Sequence, residues 1–264
     1  MIQMILFALI IILHTCYGTS GNFKRDLDIA WSGWNRHFNG DYSQYVGKYE
    51  GMENNMNMHS KIKAQYLSAI NNIRDWHNAK PLKEIKELDD IAQSYANYIT
   101  QTGNFEVGIF NNVFGLLVSS NEANEDVGKK VPFEIYSNFD KGDTPFDFEA
   151  NEEEMVKNEN VEDRRSSMCM IWKSATNIGI GVAKTYQIQG TFYIIVAAIY
   201  PKSNELGKYK ENITPRNLEA MTHYGYFENL QKEKERNKSF IRIEVEPWVQ
   251  NIIDRLKKNV FGSD

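Results

Sequence analysis

Apolar side chains recur at helical spacing in two stretches of the first hundred residues. Ile62, Tyr66, Ile70 and Ile73, with Leu67 beside them, predict a helix over about Lys61 to His77. Pro81 bars its simple continuation. Leu88, Ile91, Ala92, Tyr95, Ala96 and Ile99 form the apolar face of a second helix, Leu88 to Thr100. Glu87, Asp89 and Asp90 suit its positive N-terminal end, and Gly103 marks its stop. The period changes further on. Ile178 to Ala183 alternates branched apolar residues with glycine and alanine, which predicts a strand with one face open to close approach. A turn at Gln189-Gly190 leads to Thr191 to Tyr200, a buried strand by composition, and Pro201 ends it. Short helices are expected near Lys24 to Phe38, Pro132 to Phe139 and Arg164 to Ser174. The Asn/Met-rich run Met52 to Met58 reads as a linker, residues 104–130 as irregular, and Asp140 to Asp163 as a long acidic loop, solvated over Asp147 to Asp163. Near the C-terminus, Val249, Ile252, Ile253, Leu256, Val260 and Phe261 make an apolar stripe on a helix from Pro247 to Phe261, expected to dock on the body.

Composition narrows this pattern. A chain of 264 residues suits one domain with extensions. Apolar residues at 42% supply a core, and a net charge of −5 offers no basic surplus for nucleic acid or an anionic membrane. Ile5 to Leu13 is an unbroken apolar run too short to span a bilayer, followed by Thr15, Cys16, Tyr17 and Gly18. Residues 1–18 therefore read as a signal peptide cleaved after Gly18, and the protein as secreted and extracellular; no later stretch reads as transmembrane. Cleavage removes Cys16 and leaves Cys169 as one thiol with no intrachain disulfide. Between Met168 and Met170, Cys169 reads as a small buried hydrophobe. The oligomeric state, and pairing of Cys169 with a second chain, stay open.

Four ordered segments carry a family pattern. Leu67-Ser-Ala-Ile-Asn-Asn-Ile-Arg-Asp-Trp-His77 is similar to the helix L-x-x-H-N-x-x-R-x-x-H and keeps Leu67, Asn71, Arg74 and His77. Pro81-Leu82, followed by Leu88-Asp-Asp-Ile-Ala-Gln93-Ser-Tyr-Ala96, resembles P-L-x-W…L-x-x-x-A-Q-x-x-A. Met170-Ile-Trp172-Lys-Ser-Ala-Thr-Asn-Ile-Gly179-Ile-Gly181 resembles V-W-K-x-T-x-x-x-G-x-G, and Tyr193 to Pro201 resembles the closing strand V-V-A-x-Y-x-P. Together they resemble the CAP superfamily of cysteine-rich secretory, venom allergen-like and plant pathogenesis-related proteins, over about residues 60–203. The resemblance implies an α+β fold, an α-β-α sandwich, and the apolar stripe after Pro247 adds a helical C-terminal extension. With the flanking stretches read from their own composition, the chain divides into a signal peptide 1–18, an N-terminal extension 19–59, a CAP-like domain 60–203 and a charged C-terminal extension 204–264. Asn71, Arg74, Gln93 and Trp172 are its structural motif residues.

Many members of that family place two His and two Glu around a cleft, a set suited to a zinc-like ion. The matching positions here are Ile70, Ser166, Leu116 and Asn138. The first His falls at Ile70, just before Asn71, and the second six residues before Trp172, at Ser166. The Glu of G-E-N matches Leu116 in Gly115-Leu116-Leu117, and that of W-Y-x-E matches Asn138 in Ile135-Tyr136-Ser137-Asn138. These four are the candidate cleft-lining residues; no catalytic residue, metal or cofactor is expected. No H-x-x-x-H, H-E-x-x-H or G-x-S-x-G pattern occurs. Asn237-Lys-Ser239 and Asn212-Ile-Thr214 are glycosylation sequons. The reading is a secreted, non-enzymatic CAP-like binding protein for a sterol or other lipid or an extracellular partner protein. The alternatives are a hydrolase with a rearranged site, around Glu134 for instance, and an interaction protein working through its two extensions.

Overall fold

A computed structural model describes residues 22–38, 53–105, 110, 113–140, 146–158, 164–187 and 190–223. The expected signal peptide, the helix from Pro247 and the sequon at Asn237 lie outside them. In chain order the elements are α1 (22–37), α2 (Glu53–Trp76), β1 (Lys83–Glu84), α3 (Lys86–Thr102), β2 (Gly115–Glu122) and α4 (Val127–Tyr136). A 3₁₀ turn (Ser137–Asp140), α5 (Glu152–Asn158), α6 (Arg164–Ile171), β3 (Asn177–Gln187), β4 (Gly190–Tyr200), α7 (Tyr209–Asn212) and α8 (Leu218–His223) follow.

The strands make one sheet in the order β1-β3-β4-β2. β4 runs antiparallel to both β3 and β2, and β1 lies parallel to β3 at Asn177 and Ile178. Successive strand residues face opposite sides, so the sheet divides the core in two. Ile178, Ile180, Val182, Ile195, Ala197, Ile199 and Leu117 pack against α2, α4 and α6. Ala183, Ile194, Val196 and Ala198 pack against α3 and α1. This is the α-β-α sandwich that the resemblance implies.

Two glycine contacts set the layer spacing. Gly179 and Gly181 lie under α3, where a Cβ would overlap the backbone of Leu88 and Ala92. Gly128 of α4 meets the backbone of Ile62 in α2 in the same way. The predicted stop of α3 is also present: Gly103 takes φ 68° and its N–H donates to the Ile99 carbonyl at 2.8 Å.

Several sequence expectations are corrected. The Met52 to Met58 linker is helical from Glu53; it holds no glycine or proline, and Met58 packs on the core. Residues 104–130 contain β2 and the start of α4. Only Leu116, Leu117 and Val118 of β2 are apolar, so the strand shows no alternation and is defined by its pairing with β4. The acidic stretch Asp140 to Asp163 is not simply a solvated loop. Phe146, Ala150 and Met155 are buried, and the Glu152 carboxylate accepts from the amides of Gly207, Tyr209 and Lys210 around the start of α7.

The expected boundary at 203/204 cuts through packed structure, since Tyr209, Ile213 and Met221 are buried in the α2-side core. On the other side α1 buries Ala30 and Trp34, and Trp34 stacks on Phe110 at 5.0 Å. Asn212 is buried as well: its Nδ2 donates to the Lys208 carbonyl at 2.9 Å and its Oδ1 accepts from the Ser174 amide at 2.8 Å. The folded chain therefore does not offer this sequon to a glycan.

Candidate functional site

The motif side chains near α2 and α3 bond to backbone. Asn71 completes a two-way exchange with Leu82, accepting from its N–H at 2.7 Å and donating to its carbonyl at 3.1 Å. Gln93 does the same for Val182 of β3, at 3.0 and 2.9 Å. Asp89 accepts from the Ile180 amide at 2.7 Å. β1 pairs only with the start of β3, so Asp89 and Gln93 take the place of a strand along the edge that follows.

Arg74 is fully buried, and among the described residues no carboxylate forms an ion pair with it. Its guanidinium donates to four carbonyls, Lys80 at 2.8 Å, Met170 at 2.8 Å, Trp172 at 3.0 Å and Ala175 at 2.9 Å. Burial lowers its pKa to about 10, which leaves it cationic at neutral pH. Trp172, also buried, meets Tyr209 edge-on at 5.3 Å.

His77 ends the same helix run. Its Nδ1 lies 2.6 Å from the Thr214 carbonyl, which can only accept, so the proton sits on Nδ1. Nε2 then accepts from the Tyr136 hydroxyl at 2.7 Å, and that oxygen accepts from Arg216 Nε at 2.8 Å. Burial, with Arg216 and Arg74 adding to it, lowers the His77 pKa to about 3 despite the opposing Thr214 bond. The imidazole is a neutral clasp between α2, α4 and the segment before α8. Cys169 is buried too, and burial pushes its thiol up to about 11.

The four candidate cleft residues do not converge. Ile70 is wholly inside the α2-side core. Leu116 is on the opposite side of the sheet, packed toward α1 and α3, while its neighbour Leu117 faces α2. Asn138 and Ser166 lie on adjacent segments, joined by Arg164 Nε to the Asn138 carbonyl at 3.3 Å and Ser167 Oγ to the Ile135 carbonyl at 2.6 Å. Two hydrocarbon side chains on different faces and two neutral oxygens do not fit a zinc-like ion. Glu134, the acid considered for a rearranged site, is exposed on α4, as is Glu122 at the end of β2.

A concavity that the sequence did not suggest lies elsewhere. An open groove of about 550 Å³ is lined by Ser60, Lys63, Leu67 and Asn71 of α2 together with Glu84 and Asp89. Lys63 Nζ bonds Asp89 at 3.0 Å and lies 3.9 Å from Glu84. Burial first, then Asp89, raises the Glu84 pKa. Ser60, Lys63 and Ala64 sit on the polar side of the helical stripe; no motif marks them.

The model of the cysteine-rich secretory protein family, CAP, matches residues 67–199, half of the chain. The chain belongs to the CAP family. Solved structures matched over 60% of this chain include BmVAL-1, 17% identical with TM-score 0.44 over 83% of that chain, and NaASP2 with Zn²⁺, 11% identical with TM-score 0.44 over 86% of that chain. Schistosoma mansoni venom allergen-like protein 4 matches over 61% of this chain and 95% of its own, at 17% identity and TM-score 0.40. No curated protein sequence matches. The zinc named with NaASP2 belongs to that protein.

Proposed function

We propose that this CAP protein is secreted, non-enzymatic and metal-free, and that it works by binding an extracellular partner protein. The observation that carries the reading is the place of Ile70, closed inside the core where the family pattern has an imidazole. General acid-base chemistry needs titratable groups converging in a cleft, and the matching positions here are Ile, Leu, Asn and Ser, none of which titrates near neutral pH. A sterol or fatty acid needs an enclosed, largely apolar cavity. The groove beside α2 is instead open, with a lysine and two carboxylates on its walls, which suits a polar protein surface.

Mass spectrometry of the protein purified from a eukaryotic secretion host, against a mock-purified control, separates the two ligand classes. The expected result is a protein empty of lipid. A stoichiometric sterol or fatty acid would make it a lipid carrier. In parallel, cross-linking to cell-surface proteins is expected to yield a partner that Lys63→Glu loses; capture unaffected by that change moves the contact away from the groove.

A further inference from the structure

Lysines are distributed unevenly over the molecule. Lys61, Lys63, Lys86, Lys157 and Lys208 pair with Glu125, Asp89, Asp90, Glu153 and Glu205. Lys80, Lys83, Lys173 and Lys202 form no ion pair with any described residue, and the backbone gathers them at one end of the sheet. The Lys83 amide donates to the Thr176 carbonyl at 3.0 Å, and the Thr176 amide to the Tyr200 carbonyl at 2.9 Å, two residues before Lys202. Arg74 ties the Lys80 carbonyl to those of Trp172 and Ala175, which bracket Lys173. Neighbouring strands lie about 5 Å apart, so the ends of β1, β3 and β4 that carry this cluster span about 10 Å. Lys80, Lys83 and Lys173 are exposed, and Lys202 is half-buried.

Carboxylates near this cluster are turned away or engaged elsewhere. Glu84 alternates with Lys83 along β1 and faces Lys63 at 3.9 Å. Asp26 accepts from the Tyr200 hydroxyl at 3.0 Å and from Arg25 at 3.5 Å, and Glu211 accepts from Asn212 Nδ2 at 3.4 Å. Asp75 and Glu87 are exposed and pair with none of the four lysines. Beneath them the Arg74 guanidinium stays cationic with carbonyls alone as its partners among the described residues. The net charge of −5 conceals this local surplus of positive charge.

The chemistry of this surface selects its ligand. Lysine supplies point charges on flexible stems without the planar fork of arginine, so it suits spaced anionic groups better than one carboxylate gripped at two points. The exposed large apolar side chains among the described residues are Ile29, Phe105, Tyr186 and Leu206, and none stands in these loops. A protein interface would lack its apolar anchor here, and a single-stranded nucleic acid its stacking platform. We propose that this end of the sheet binds a sulfated polysaccharide chain, with Lys80, Lys83, Lys173 and Lys202 on its sulfates. The contact leaves the groove beside α2 to a protein partner. It rests on the secreted reading above, because such polysaccharides are extracellular.

Binding of the full chain, purified from a eukaryotic secretion host, to immobilised heparin tests this, with desulfated heparin as the control. Affinity for heparin is expected to fall roughly 10- to 100-fold between about 50 and 200 mM NaCl as counter-ions are released. Lys83→Ser with Lys173→Ser should weaken it at least about tenfold. Lys129 and Lys130 are exposed, form no ion pair with a described residue and lie at the opposite end of the sheet, where α4 follows β2. Lys129→Ser with Lys130→Ser removes the same charge there and should keep the affinity within about twofold. Near-UV circular dichroism verifies the fold of each variant. No binding by the wild type at about 50 mM NaCl overturns the proposal, as does equal binding to desulfated heparin. Equal losses in the two variants overturn it as an effect of net charge, and undiminished binding in the Lys83 and Lys173 variant places the contact elsewhere. Recovery from the medium is read separately: retention in the cells overturns the secreted reading, while the heparin result still decides what this surface binds.

Discussion

Asn71, Arg74 and Gln93 stand in contrast to Ile70, Leu116, Asn138 and Ser166. Both sets come from the same family pattern, and Ile70 and Asn71 are adjacent on one helix. The first set keeps its polar side chains and spends them on backbone: the amide and carbonyl of Leu82 and of Val182, and the carbonyls of Lys80, Met170, Trp172 and Ala175. The second set carries no charge, Ile70 and Leu116 lie on opposite sides of the sheet, and the fold closes around them. Polar residues that complete the backbone are part of the scaffold, whereas polar residues that face a cleft are separable from it. The architecture of this chain holds with no ionisable side chain at any of those four positions.

The contrast breaks most visibly at Arg74. Arg74→Met preserves much of the volume but takes the donor from four carbonyls, of which that of Trp172 also accepts from the Ala175 amide, and a loss of about 3 to 5 kcal/mol in urea unfolding is expected. A loss below about 1 kcal/mol would mean that the carbonyls find other partners and that the guanidinium is dispensable. His77 comes next. Its folded pKa of about 3 lies below the ordinary 6.5, so the unfolded chain binds the extra proton between those values. Its contribution is complete above pH 6.5 and falls as the pH drops toward 3. Wild type should lose about 2 to 3 kcal/mol more than His77→Gln between pH 7 and pH 4.5. Parallel pH profiles would show that the clasp does not depend on a neutral imidazole.

A smaller effect is expected at the sheet edge. Gln93→Leu leaves the Val182 N–H and C=O without their partner and should cost about 1 to 3 kcal/mol, seen as a lower melting temperature. Exchange at the Val182 amide should accelerate with it. Unchanged exchange there would mean that the edge is closed by something other than this side chain.

The sequence expressed the α3 face well and the α2 face poorly, for physical reasons. Helix α3, strands β3 and β4 and the glycines that face α3 follow period and composition, because α3 buries one continuous face and β4 is buried on both. Asn71, Gln93 and Arg74 were legible as motif residues, though the backbone groups they serve lie far along the chain or across a turn, where no local pattern points to them. β2 was missed because its order comes from β4. The core role of residues 209–221 was missed because Tyr209, Ile213 and Met221 are scattered through a charged stretch. The expected cleft failed at Leu116, where a one-residue difference in register moves a side chain to the other face of the sheet. The groove at Lys63 is made by α2, β1 and α3 together, and no local pattern encodes it.

Ser166 provides the smallest and sharpest test of the separable set. Its side chain is half-buried on α6, and no hydrogen bond reaches its hydroxyl among the described residues. Ser166→Ala should therefore change stability by less than about 0.5 kcal/mol. Ser166→His restores one imidazole of the family pattern while Ile70 stays in the core and Leu116 on the far face. One imidazole beside a neutral Asn138 amide is too few donors for a zinc-like ion, so zinc titration calorimetry on this variant should match the wild type. A new stoichiometric zinc site would mean that α2 or β2 can turn a ligand toward α6, and the four positions would then be a dormant site rather than a dispersed one.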